Sequence, residues 1–467
     1  MAVLDKEKAR QIAQTVAMTR EPMAGVFFWL SSFYVVYCAR PEDWIPGLAY
    51  IPLAKITGIF ALLGLLMSAG RSKRGFRDLP KEAMYLAGII GLLFVAAVLS
   101  TVWRGGAFFH TIDFSKVLVA WVLTFFVVTS FDRLRRIIFI QSASVGLIAV
   151  VSIIKGRSHP RLEGVIGGIY SNPNDLAFAI VLSLPFCFAF ILRTRNMVAK
   201  LAWGVAMLAM CAALFLTASR AGFIDLVVTG AICLWIFGIK GRRPQLVAGA
   251  AVVALIVGFA AGGRLKDRFL AIQGGRYIED SVDESAYGSY EERRYLMVKS
   301  LDGIVHYPWG IGLGNFTVYS GKWREVHMSY LQIAVEGGLG SFVLYLMFFG
   351  RGFTNLKRLR QERGVDPEMD LFVGALFATL VGFVVGALFA PEAYQYFPYF
   401  AVAYTSVMVA IVNERQPGEA PQSPKSSLRS RPWLREPAPA GELATVGGNG
   451  RGDTSRNLAS RDFRNQR

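Results

Sequence analysis

Apolar runs of about 17–23 residues recur along almost the whole of this chain, each long enough to cross the hydrocarbon core of a bilayer. Twelve are read, at 24–39, 53–69, 83–101, 113–130, 136–154, 175–192, 199–217, 220–238, 245–262, 327–349, 370–390 and 394–412. Hydrophobic residues make up 54% of the chain and mean hydropathy is +0.41. No soluble core uses that much apolar length. Only helices that satisfy their own backbone can cross lipid in this pattern. The fold class is therefore an all-α polytopic membrane protein with about twelve transmembrane helices. The first run follows a polar head of some twenty residues and has no small-residue cleavage site, so it reads as a retained span, not a signal peptide.

Charge sets the expected orientation. With the N-terminus in the cytoplasm and strict alternation, the short inside loops carry nineteen Lys/Arg and the short outside loops five. That is the asymmetry of the positive-inside rule. The net charge of +17 is then a topology signal, and nucleic acid is not expected as a partner. Residues 1–23 read as a cytoplasmic N-terminal segment and 24–413 as the transmembrane domain. Residues 263–326 read as a large outside loop between spans nine and ten. Within it, 263–272 and 290–304 look helical and 274–290 loop-like. Residues 414–467, rich in Pro, Ser, Gly and Arg, read as a disordered cytoplasmic tail whose Arg-Gly-Asp at 451–453 is a chance match. Cys38, Cys187, Cys211 and Cys233 lie in or at the ends of spans without a Cys-x-x-Cys spacing, and read as small buried hydrophobes.

Three spans that run from outside to inside open with distinctive polar residues. The sixth opens with Ser171-Asn172-Pro173-Asn174-Asp175 and the eighth with Thr217-Ala218-Ser219-Arg220. The tenth opens with His327. Each helix N-terminus presents free N–H groups and a partial positive charge. With Arg220, and Arg161 in the preceding loop, they suit an anion such as a diphosphate headgroup at the outer leaflet. The bland readings are ordinary caps for Asn172 and Asn174, a snorkelling Arg220, and interface histidines for His306 and His327. Glu336 lies within the tenth span and needs a partner or a cavity. The glycines beside it suit close helix packing. Asp225 is expected to pair with Arg220 or a neighbouring helix. Gly310-Ile-Gly312-Leu-Gly314 lacks the spacing and the βαβ setting of a nucleotide loop. No His-Glu-x-x-His or Cys/His cluster suggests a metal, and no cofactor is expected.

Taken in order, these pieces resemble the O-antigen ligase and polymerase superfamily. The matching residues are Arg161-x-x-Gly164, Asn172-Pro173-Asn174, Thr217-x-Ser219-Arg220, Arg293-Arg294, Pro308-x-Gly310-x-Gly312-x-Gly314-Asn315, and His327-x-Ser329-Tyr330-Leu331 with Glu336-Gly337-Gly338. The segment 39–48, from Ala39 through Arg40-Pro41-Glu42-Asp43-Trp44, resembles a narrower branch, the O-glycosylation ligases associated with exosortase systems. The chain departs from the family in having Met328 after the histidine, where Asn, Ser or Gln is usual.

The resemblance implies a metal-independent, inverting glycosyltransferase of a bacterial inner membrane, with both termini cytoplasmic and the site periplasmic. Its donor would be a glycan on undecaprenyl diphosphate, and its acceptor a hydroxyl of a glycan, lipid or protein. Arg220 with Arg293 or Arg294, together with Arg161, Asn172 and Asn174, would hold the diphosphate. His327, near its ordinary pKa, would be the base. A polymerase of the same superfamily is the first alternative. A transporter or flippase for lipid-linked sugars is the second, disfavoured because the polar residues gather at one face and not at mid-membrane.

Overall fold

The computed structural model describes residues 23–68, 73–155, 162, 169–170, 172–241, 243–246, 248, 281–322, 324–362 and 366–414, with 281–290 described as backbone alone. Among these residues the secondary structure is entirely helical. We number the helices α1 (Ala24–Ala39), α2 (Leu53–Met67), α3 (Lys81–Leu99), α4 (Arg104–Val127), α5 (Phe131–Lys155), α6 (Pro173–Arg193), α7 (Met197–Leu216), α8 (Arg220–Ile239), α9 (Ser281–His306), α10 (Ser329–Gln361), α11 (Pro367–Gly386) and α12 (Tyr396–Glu414).

Nine of these, α3 to α8 and α10 to α12, are long and apolar enough to cross a membrane. The remaining two apolar helices are shorter. At 1.5 Å per residue, α1 (16 residues) and α2 (15 residues) reach only ~24 and ~22 Å, against a hydrocarbon core of ~30 Å. So the expected twelve spans become nine full-length helices and two short ones among the described residues. Most of the run at 245–262 lies outside them, as do 1–22, residues 263–280 of the expected loop at 263–326, and the tail beyond 414.

Several boundaries move, each for a local reason. Helix α4 starts at Arg104, nine residues before the expected 113, because Gly105 to Ile112 carry no breaker strong enough to stop it. Helix α9 runs back to Ser281, so 281–290 is helical and not a loop. Helix α10 continues to Gln361, through most of what read as an inside loop, on a run of good helix formers. Its first residue is Ser329, so His327 stands just ahead of the helix instead of opening it.

The helix starts follow capping chemistry. The Asn172 side chain accepts the Asn174 N–H at 3.0 Å with Pro173 at the first helical position of α6. Ser219 accepts the Gly222 N–H at 3.1 Å and opens α8. Asp366 does the same for Glu368 at the start of α11.

Polar contacts gather at two opposite ends of the bundle. At one, Arg74 ion-pairs with Glu414 and donates to the Val128 carbonyl at 3.1 Å, satisfying the C-terminal end of α4. Arg135 and Arg193 both bond Glu368 there, and Arg358 bonds Asn413. This is the end that carries the basic short loops. At the other end Tyr170 donates to the Cys38 carbonyl at 2.8 Å, and Ser219 to Asn174 at 2.8 Å. Ser329 joins the same end, donating to Ala390 and accepting from the Glu392 N–H.

Candidate functional site

The second end is built around a broken helix. In α10, Gly338 has φ +79°, outside the range an L side chain accepts readily, and the helical ladder is interrupted there. A break at membrane depth leaves backbone groups that lipid cannot satisfy. The stretch 308–316 satisfies them. The Ile311 and Gly312 N–H groups donate to Val335 and Glu336 carbonyls, both at 2.9 Å, and Leu339 donates to Pro308 at 2.9 Å. Glu336 Oε1 accepts from the Gly314 N–H at 3.0 Å and the Phe316 N–H at 3.3 Å. Asn315 ties the same loop to Ser100 at 2.9 Å. The glycine series that is no nucleotide loop is thus a brace. Glu336 finds its partners in backbone N–H groups, and Gly338 makes the break rather than a packing face.

That brace fixes the segment leading into His327. The imidazole is half-buried, and its pKa is lowered from 6.5 to about 4, first by burial and then by the positive charges of Arg293 and Arg324. The expectation of an unperturbed histidine is therefore corrected: two cations beside it oppose a third charge. Arg324 itself is paired to Glu292 at 3.0 Å.

Arg293 comes from α9, close enough to Arg220 at the start of α8 for that charge, with burial, to lower its pKa. Its Nε is buried and has no hydrogen-bond partner among the described residues. Arg294, one residue and 100° further round the helix, is exposed. The expected pair therefore splits: Arg293 faces His327 and Arg220, and Arg294 does not join them. Arg220 is half-buried behind a tight turn in which Ala218 has φ +49°, a left-handed conformation that costs an alanine about 1 kcal/mol or more.

The start of α8 is pressed against α6. A Cβ at Gly222 would stand 2.7 Å from the Ala177 Cβ, so only glycine permits this approach. The contact brings Ser219 to Asn174, which joins the cap of α6 to the arginine-bearing turn. Asn172 is the cap residue and its side chain is used for that purpose. Arg161 lies outside the described residues.

Sequence reasoning missed a set of acidic neighbours. Glu392, in the turn between α11 and α12, is buried, and Asp175 lies within hydrogen-bonding reach of it. Burial first, and then the negative charge of Asp175, push the Glu392 carboxyl well above the ordinary carboxylate range. Glu325 reaches solvent, yet the protein around it raises its carboxyl too, and its charge acts on both. Glu325 sits beside Arg324 in the stretch leading into His327, and that adjacency was the one available signal. Nothing in the sequence brought Glu392 to Asp175. Asp225 has Thr229 as its hydrogen-bond partner, at 3.4 Å, and packs against the glycine face of α11 at Gly382 and Gly386. His306 is exposed, and its Nδ1 lies at hydrogen-bonding distance from the Asp302 carbonyl, one turn earlier on α9.

Residues 205–346 match the family model described as O-antigen ligase. The matched stretch holds Arg220, Arg293, Arg294 and His327, and ends just past the helix break. No curated protein matches the chain. Among solved structures, a chain from the work described as "Structural coordination of polymerization and crosslinking by a peptidoglycan synthase complex" is similar at 18% identity. The similarity covers 71% of this chain and 96% of that one at a TM-score of 0.40.

Proposed function

We propose that this protein transfers a glycan from an undecaprenyl-diphosphate carrier to an acceptor hydroxyl, at the outer face of a bacterial inner membrane. The observation that carries the reading is Arg293. Its buried Nε–H group has no protein partner among the described residues, and it stands between Arg220 and a histidine that remains neutral. The guanidinium groups of Arg220 and Arg293, close enough for one charge to act on the other, suit the oxygens of a diphosphate. The family match over 205–346 supports the same reaction class.

In this reading the acceptor oxygen attacks the anomeric carbon and His327 takes its proton. The bond from that carbon to the diphosphate breaks, and undecaprenyl diphosphate leaves with its charge held by Arg220 and Arg293. Direct displacement inverts the anomeric centre. In the free enzyme the imidazole is unprotonated at pH 7, with a lone pair for that proton, and cationic stabilisation of the leaving group acts where charge develops. Asn174 positions the Arg220 turn through Ser219 and does not itself need to touch donor.

The test is complementation of a deletion strain with wild type or His327→Ala at equal membrane abundance, with lipid-linked donor and mature glycoconjugate read on one gel. Donor accumulation with loss of product supports transfer. A wild-type ladder on lipid identifies a polymerase, and product on another acceptor identifies a ligase. Unchanged product in His327→Ala overturns the role given to the histidine.

A further inference from the structure

At the basic end of the bundle, far from His327, Phe139 on α5 stands as a ridge between two open grooves. One, of about 440 Å³, runs between α1 and α5 along Phe27, Phe28 and Ile140. The other, of about 230 Å³, runs between α5, α6 and α7 along Phe190, Trp203, Arg135 and Arg193. Arg136 and Phe139 line both. The ridge is held by its neighbours: Trp203 stacks on Phe190 at 4.9 Å, and Phe139 meets Trp203 edge-on at 5.4 Å.

Charge at the mouth of the grooves is unbalanced. Arg135 bonds Asp132 and Glu368, each at 2.7 Å, and Arg193 bonds the same Glu368. These two arginines therefore have their carboxylates. Arg136 is exposed and has no carboxylate partner among the described residues. A single positive charge is left where two apolar grooves meet.

We propose that this double groove binds an anionic glycerophospholipid, with its phosphate at Arg136 and one acyl chain on either side of Phe139. The shape fits a two-chained lipid, because one headgroup position serves both grooves. Chains gain little on leaving bulk lipid for an apolar groove, since both surroundings are equally apolar. Selectivity must then come from the headgroup, and basic pockets between helices on the cytoplasmic side suit anionic ones. The inference does not rest on the proposed transfer reaction.

The test is native mass spectrometry of the full chain in neutral detergent, titrated with phosphatidylglycerol or with phosphatidylethanolamine of the same chains. Wild type is expected to prefer phosphatidylglycerol. Arg136→Gln is expected to weaken it about fivefold, the contribution of one basic residue near a membrane surface. Arg136→Lys should retain most of the preference, and Arg136→Glu should abolish it. If Arg136→Glu does not accumulate in membranes, Arg136→Gln carries the same comparison. A preference unchanged in these variants overturns the assignment. So does one lost in Arg293→Ala instead, which would put the anionic lipid at the other end of the bundle.

Discussion

At the scale of single residues, the pKa of His327 sets the pH range in which it can take a proton. Its folded pKa of about 4 lies below the ordinary 6.5, so the imidazole stays neutral across pH 5–8 and protonates only as pH falls through about 4. The acid limb of the transfer rate for free enzyme is therefore expected near pH 4. Arg293→Gln removes one of the positive charges that lower this pKa and should move the limb to higher pH, besides weakening donor binding. An acid limb that stays in place in Arg293→Gln would contradict the electrostatic contact. Glu392 behaves in the opposite sense. Its folded pKa lies above its ordinary 4.5, so the native state keeps a proton that the unfolded chain releases. Stability is fully present below about pH 4.5 and falls as pH rises. Glu392→Gln mimics the protonated acid, and should raise the unfolding temperature at pH 8 more than at pH 5. Thermal unfolding in detergent at the two pH values checks this.

At the scale of elements, the break in α10 organises the site. Gly338 has a positive φ, and a Cβ there would meet the Trp309 backbone at 2.5 Å. Facing it, Gly310 has φ +97° and a Cβ would meet the Glu336 carbonyl at 2.4 Å. Gly338→Ala is expected to destabilise the protein by about 1–3 kcal/mol through the φ alone, with more from the collision. Because the loop enters His327 from this brace, transfer should fall further than folded protein does; activity per folded molecule, measured against a thermal melt, checks it. The sequence presented Glu336-Gly337-Gly338 and the glycine series as two separate features. Each looks like packing or a turn on its own, and only backbone pairing between 311–312 and 335–336 reveals that they are one device. The caps at Asn172 and Ser219 were legible, because capping is local chemistry. Their contact with each other was not, because Ser219 to Asn174 depends on how α6 and α8 pack.

At the scale of the whole molecule, hydropathy made the helical class and most helix positions legible, since apolar length alone demands them. The part of α9 at 290–304 was legible as a helix, but its start at Ser281 was not, nor was the early start of α4. Charge counting grouped the short loops into two sets, and the structure gathers the corresponding contacts at two ends of the bundle. Arg74, Arg135 and Arg193 lie at one, and Arg220, Arg293 and His327 at the other. That separation leaves one end for the proposed chemistry and the other for lipid.

The central claim is that Arg220, Arg293 and His327 act together in glycosyl transfer. The most direct measurement is reconstitution of the purified chain in proteoliposomes with a fluorescent lipid-diphosphate oligosaccharide and an acceptor glycan, following both the transferred product and the released undecaprenyl diphosphate. Wild type should form both in equal amounts. Rates should fall about 10²–10⁴-fold in His327→Ala and about 10²–10³-fold in Arg293→Ala. Movement of the labelled lipid between leaflets with no covalent product, or full product formation by His327→Ala, would contradict it.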